Sequence, residues 1–414
     1  MRRITSLALT SAFVLALSAL SMASIVQVGD CLSIVNFSTI QAAINAVPAG
    51  STIKVCPGNY AEQLLITKKL TLTGIANGGA DAVVIYPPAG GLVQNTTDAR
   101  GAVAAQILVQ RPSMAAALGP VSISNLTVDG TGNLYNTDDL RGILYQDASG
   151  TINHVAVRNV VPNDTPSGIQ SGQGIMVETT NFTDAVTLTV QNSSVHNYNK
   201  NGIVARYTGA TLNATGNYVQ GYGPTGVIAQ NGIELAFGGA AGTIKSNTVI
   251  DNYYTDQVSA TSSDILLYDA KNSGATVSGN TVGNSNIAIA VVTDTPGTYG
   301  DGANVTLNKI MGSSLFDGVD VCTNGNSVTK NSIFNSTQSG VHLDASCGST
   351  GSNNTVTGNT ILESACAGVL ADTGTMNNTT LPNAFYTVPF QNPSTCMGPS
   401  GMAARIRTNN KFKP

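Results

Sequence analysis

The chain has 414 residues, a formal net charge of −4, no tryptophan, and only 10% charged and 5% aromatic residues. It lacks the basic stripe of a nucleic-acid binder and the high charge of a disordered chain. Gly, Ala, Ser, Thr, Asn and Val dominate, a composition suited to strands and tight turns.

Arg2-Arg3, the apolar run Leu7–Leu20 and the small residues around Ser21-Met22-Ala23 read as a signal peptide over 1–23. The run is short for a membrane span. Cys31 follows Gly-Asp, which is no lipidation site. The mature chain is expected from about Ser24, secreted or held in the periplasm or cell envelope, as a monomer with no membrane span. It is more acidic than the whole, because Arg2 and Arg3 leave with the leader. Six cysteines on a secretory route predict disulfides. Several pairings are open, of which the sequence-local set is Cys31–Cys56, Cys322–Cys347 and Cys366–Cys396.

Residues 38–47 predict a cap helix, with Ser38 and Gln41 as a capping box and Ile40, Ala43, Ile44 and Val47 on one face. Thr52–Cys56 and Leu64–Thr73 read as the first strands, with Pro57-Gly58 at the corner. Glu62 is the one acidic group of that opening and completes no catalytic set there. From about 120 to 372 two motifs alternate. One is Gly, Asn or Asp followed by alternating apolar residues, as in NGIVAR, NGIELA and SGVHLD. Its first Ile or Val falls at 143, 175, 203, 233, 265, 287, 319, 341 and 369, in steps of 22 to 32 residues. The other is Asn-x-apolar or Asn-x-x-apolar, the apolar residue being Val or Ile, with asparagines 125, 153, 192, 217, 247, 280, 308, 331 and 359. Short strands of period two at this cadence predict an all-β, single-stranded right-handed parallel β-helix of about ten rungs with an N-terminal helical cap. Asparagine suits the left-handed corners and hydrogen-bonds when stacked. One body is expected over 24–375, and a C-terminal tail or cap over 376–414.

Residues 39–74, TIQAAINAVPAGSTIKVCPGNYAEQLLITKKLTLTG, resemble the opening of the pectin-lyase-like superfamily, which pectin methylesterases share. Residues 120–372 resemble the PbH1-type repeats of NosD-like and polysaccharide-processing proteins. The resemblance implies an extracellular or envelope polysaccharide, a cell-surface glycan included, and lyase, hydrolase or epimerase chemistry on a uronate-like chain. It specifies fold more than activity. The G-x-x-D-F-I-F-G of pectin methylesterases and the D-P-H-E of alginate epimerases are missing. Asn136-Thr137-Asp138 echoes polygalacturonases, without their second D-D or G-H-G.

In the Gly-Ile strands Ile faces inward, so alternate residues face out. Glu178, Arg206 and Glu234 then stand on three consecutive rungs, with the carboxylates roughly 10 Å apart at about 4.8 Å per rung. Arg206 suits a bidentate uronate or sulfate, and Glu178 and Glu234 suit acid and base roles. The short connection before the Arg206 strand predicts a cleft walled by Tyr207, Tyr222, Tyr253, Tyr254 and Asp256. The bland alternative is a solvated Glu–Arg–Glu ladder of little energetic weight. A secondary cluster is Asp317, Asp320, His342, Asp344 and Asp372, where Asp beside His orients a general base and several carboxylates form a Ca²⁺ ligand set. Its bland alternative is a polar face beside a Cys322–Cys347 bridge. His154 and His196 lack a paired ligand and read as structural. Absent tryptophan favours a rival reading, a non-catalytic surface, adhesive or glycan-binding repeat protein. A NosD-like accessory role in metal-site assembly is weaker, because histidine is sparse.

Overall fold

The computed structural model describes residues 22–75, 80–112, 116–136, 139–256, 260–271, 274–311, 316–346 and 349–388. Most of the expected signal peptide, Thr137-Asp138, Cys347, Cys396 and the chain beyond 388 lie outside these residues.

The chain winds into a parallel coil with three strands per turn. One turn runs Asn201–Arg206, Ala210–Thr215, Tyr218–Gln220, and the next begins at Asn231. Each strand pairs in parallel with its counterpart one turn on. Among the described residues one pairing is antiparallel, Thr96–Asp98 against the start of Gly101–Gln110. Inward Ile, Val and Leu form one continuous core from Val26 to Val369.

Two contacts explain the two motifs. A Cβ on Gly174, Gly202 or Gly232 would stand 2.2 to 2.5 Å from a methyl of Val195, Val219 or Val249. Gly318 and Gly340 meet Ile333 and Ile361 in the same way. Each Gly-Ile strand thus presses its glycine on the inward residue of the Asn-x-Val strand in its own turn. The asparagines link successive turns. Asn217, Asn247, Asn280, Asn308, Asn331 and Asn359 each offer Oδ1 to the backbone N–H of the preceding turn, at 2.9 to 3.0 Å. Their Nδ2 groups donate to carbonyls such as Ala214 O and Ile244 O. Asn125 and Asn192 instead occupy left-handed corners outside this ladder.

The cap helix is Ile40–Ala46, with Ile40, Ala43 and Ile44 buried. Its cap differs from the expected Ser38/Gln41 box. Thr39 is extended and its hydroxyl accepts from Ala42 N, while Glu62 accepts from Ile40 N and Gln41 N at 2.8 Å each. The frame shifts by one residue, and the N-terminal site is filled by the Glu62 carboxylate from the connection between Gly58–Ala61 and Leu64–Ile66. Cys31 and Cys56 are bonded as expected, and Cys322 and Cys366 are also disulfide-bonded. Strand pairing continues past the expected tail boundary, with Ala384–Tyr386 on Thr360–Leu362.

On two faces burial alternates, as in Val186–Gln191. The third face differs. Its parallel strands are β1 (Leu64–Ile66), β2 (Gly101–Gln110), β3 (Leu140–Gln146), β4 (Gln173–Glu178), β5 (Asn201–Arg206), β6 (Asn231–Ala236), β7 (Ser263–Tyr268), β8 (Ile287–Val292), β9 (Val319–Val321), β10 (Ser339–Leu343) and β11 (Ala367–Ala371). Every residue of β3 to β10 is buried. This sheet is covered on both sides, and the candidate residues lie on its outer side.

Candidate active site

The strand register stacks three outward columns. They are Arg141–Gln173–Asn201–Asn231, Leu144–Met176–Val204–Glu234–Leu266, and Gln146–Glu178–Arg206–Ala236–Tyr268. Glu178 and Arg206 are therefore direct neighbours. Glu234 sits one rung beyond Arg206 and two residues back along the strand. This offset widens the backbone separation of the two glutamates to roughly 12 Å.

All three are buried, with Arg206 at 0% and both glutamates at 1% exposure. The open cleft expected over Arg206 is roofed. That expectation considered connections leading into the strands, whereas the roof comes from the turns that leave them. Phe237 lies over the guanidinium at 5.3 Å. Aromatic rings continue across four rungs: Phe182–Tyr207 at 5.1 Å, Tyr207–Phe237 at 6.3 Å and Phe237–Tyr268 at 5.5 Å between centroids. Tyr207 and Phe237 hold left-handed backbone, φ 73° and 55°. The equivalent corners after β3 and β7 carry Asp147 and Asp269 at φ 49° and 48°. Aspartate tolerates that region and a bulky ring does so at a cost. The two rings thus override local preference just where they cover Arg206.

Polar groups under the roof are incompletely satisfied. Nε, Nη1 and Nη2 of Arg206 have no hydrogen-bond partner, nor do Glu178 Oε2 and Glu234 Oε1. Glu178 Oε1 accepts from Gln146 Nε2 at 2.9 Å. Glu234 Oε2 accepts from Asn201 Nδ2 and, at 3.1 Å, from Asn231 Nδ2. Burial, reinforced by Asp98, lifts the Glu178 carboxyl to about 7. Burial, then the charge of Arg141, lowers the Arg206 pKa. A guanidinium between two half-satisfied carboxylates, bonded to neither, leaves an unmet demand for a polar group.

Cavities open on both sides of Phe182. One of about 500 Å³ is lined by Thr96, Asp98, Arg111, Gln146 and Asp147. The other, about 490 Å³, is lined by Tyr207, Phe237, Tyr299, Thr208, Asp269 and Thr295. Of the expected wall residues, Tyr207 alone belongs here. Tyr222, Tyr253, Tyr254 and Asp256 precede β6 and β7, at the opposite strand ends from Ala236 and Tyr268, about 16 Å away along the strand. Tyr253 lines a separate cavity with Pro224 and Asn284, and Tyr254 donates to Asp256 at 3.2 Å. The wall assignment is therefore corrected to Phe182, Tyr207 and Phe237. Nothing in the repeat marks Phe182. Phe237 was legible as the residue one rung beyond Tyr207 at the same corner.

Arg141 and Asp98 were also missed. Arg141 is fully buried and pairs with Asp139 at 2.8 Å and Asp98 at 3.4 Å. Asp98 lies on the antiparallel strand, which no repeat announces.

The secondary cluster does converge, and it too is buried rather than a polar surface. His342 Nδ1 lies 3.2 Å from Asp317 Oδ2 and 4.0 Å from Asp320 Oδ1, and Nε2 lies 3.3 Å from Asp372 Oδ1. Burial lowers the imidazole pKa, but Asp317, Asp372 and Asp320 outweigh it and hold it well above its usual value. Burial and then Asp344 push Asp320 well up. The Cys322 sulfur beside Asp320 is oxidised and has no proton to donate.

The architecture is that of a right-handed parallel β-helix, with its candidate chemistry on one covered sheet. No family model matches the chain, and no curated protein matches it. Solved structures do. A lacto-N-biosidase from Eubacterium ramulus superposes with a TM-score of 0.55 at 12% identity, over 89% of this chain and 68% of its own. A mannuronan C-5 epimerase module from Azotobacter vinelandii gives 0.43 at 17%, over 87% and 93%. A DFA-IIIase from Arthrobacter chlorophenolicus gives 0.46 at 15%, over 81% and 87%.

Proposed function

We propose that this protein acts outside the cell or in the envelope on an acidic polysaccharide, at Glu178, Arg206 and Glu234. The observation that carries this reading is Arg206, a fully buried guanidinium with no hydrogen-bond partner on any nitrogen. A planar carboxylate is the group that fits such a fork bidentately. A uronate bound there has its charge neutralised, which acidifies the carbon bearing the carboxylate. Glu178, titrating near neutrality, is suited to remove that proton, and Glu234 to return one to the product. This is lyase or epimerase chemistry. With Glu178 protonated, the same pair serves hydrolysis as general acid. The aromatic-lined cavity beside Phe237 suits the apolar face of an adjoining sugar, with Asp269 and Thr208 for its hydroxyls. The lacto-N-biosidase named above supports a saccharide as the ligand class.

A second reading, glycan binding without turnover, is favoured by the complete burial of Arg206, which leaves the aromatic cavity as the part a sugar reaches first. One experiment separates the two. The pure protein is incubated with a panel of polyuronates and neutral glycans. Unsaturated products are read by ultraviolet absorbance, chain ends by reducing-sugar assay, and epimerisation by deuterium incorporation. Catalysis predicts turnover of a polyuronate that Arg206→Ala and Glu178→Gln abolish. Binding without product selects the second reading. Turnover unchanged in both variants removes this site.

A further inference from the structure

The secondary cluster has a geometry that ion pairing alone does not explain. Asp317 Oδ1 is already engaged by the Ser339 backbone and hydroxyl, so its Oδ2 points at His342 Nδ1. That contact fixes Nδ1 as the donor and turns Nε2 to the other side. Nε2 is buried, 3.3 Å from Asp372 Oδ1. It faces Asp344 and Asp372, and the ligand atoms of these three residues all lie within 4.8 Å of one another. Atoms held about 2.2 Å from a common centre lie at most about 4.4 Å apart, so a small inward movement of these side chains closes them on one ion. Asp320 adds a carboxylate within 4.8 Å of Asp344.

We propose that His342, Asp344 and Asp372 bind a divalent transition-metal ion of mixed nitrogen and oxygen preference, such as Mn²⁺ or Zn²⁺, with Asp317 orienting the imidazole. A carboxylate held against the far nitrogen of a histidine is the arrangement that orients a metal-bound imidazole. One imidazole with carboxylates selects such an ion over Ca²⁺, which takes oxygen ligands. The cation supplies the charge compensation that four buried carboxylates need and one histidine cannot give. It ties β10 to the end of β11, five and six rungs from Arg206, and is independent of the polysaccharide reading.

The test uses the intact protein. The chain has three histidines, His154, His196 and His342, so their imidazole proton signals are countable by NMR. Sub-stoichiometric Mn²⁺ is expected to broaden one of the three selectively. Zn²⁺ is expected to bind at one equivalent by calorimetry and raise the thermal midpoint. Asp344→Asn, its fold checked by the unchanged His154 and His196 signals, is expected to weaken Zn²⁺ at least tenfold. Absence of uptake, broadening confined to His154 or His196, binding of Ca²⁺ alone, or undiminished Zn²⁺ affinity in Asp344→Asn would each overturn the assignment.

Discussion

Replacing Glu178 by glutamine should make the protein more stable while removing the activity proposed for it. The carboxyl titrates at about 7 in the folded chain against an ordinary value of 4.5. The folded-state value is raised, so ionisation opposes folding. Between those two values the unfolded chain has released the proton and the folded chain still holds it, and stability falls as pH rises. At about 1.36 kcal/mol per pH unit, the loss reaches roughly 3 kcal/mol by about pH 8. Glutamine keeps an oxygen for the Gln146 amide, which donates to Glu178 Oε1 at 2.9 Å, and never ionises. Chemical denaturation of wild type and Glu178→Gln at about pH 4, 6 and 8 measures the difference directly, and all other titrating groups cancel. The two should agree within about 1 kcal/mol at the lowest pH and diverge by roughly 3 kcal/mol at the highest, with the variant more stable. Parallel curves across the whole range would refute both the buried-carboxyl argument and the acid–base role built on it. Gain of stability with loss of turnover is the trade expected of a site held in an unfavourable electrostatic state.

Other expectations follow from the scaffold. Asn280→Ala deletes four side-chain bonds, two to Asn247 and one each to Ile244 O and Asn308, and leaves the buried Asn247 N–H without its acceptor. It should lower stability by roughly 3–5 kcal/mol in urea titrations. Gly232→Ala places a Cβ 2.2 Å from Val249 Cγ1 and 2.5 Å from the Asp264 carbonyl. A loss of about 3 kcal/mol is expected, of which Val249→Ala should recover only part, because the carbonyl stays. Glu62→Ala removes the acceptor of Ile40 N and Gln41 N. Its cost of about 1–2 kcal/mol should show as faster amide exchange at the helix start.

The coil was legible because its signal is local and repeated. Glycine before Ile and asparagine before Val recur at positions where a methyl or an amide must fit, and the alternation placed the outward columns in their observed register. The covering of the third face was not read, although Leu144, Met176, Val204 and Leu266 in an outward column pointed to it. A polar face would not repeat Leu, Met and Val. Other parts of the site depend on chain that obeys no repeat. Asp98 arrives on an antiparallel excursion, and Phe182 on a turn of its own. Tyr222 and Tyr253 misled because sequence proximity to a strand does not say which of its ends faces the site.

From Asn217 to Asn359 the asparagine ladder gives each turn the same upper and lower edge. Asn247 receives from Asn217 and gives to Asn280 through identical atoms, and Asn280 repeats this with Asn308. The glycine–valine contact, by contrast, closes within a turn. A turn is therefore a self-contained tile with interchangeable joints. A chain from which residues 248–280 are excised would bring Asn247 against Asn308 with the ladder bonds restored. Coils of this kind can lengthen or shorten by whole turns without redesign, and a site built across four of them can be reached by duplication of tiles that were stable before they carried any chemistry.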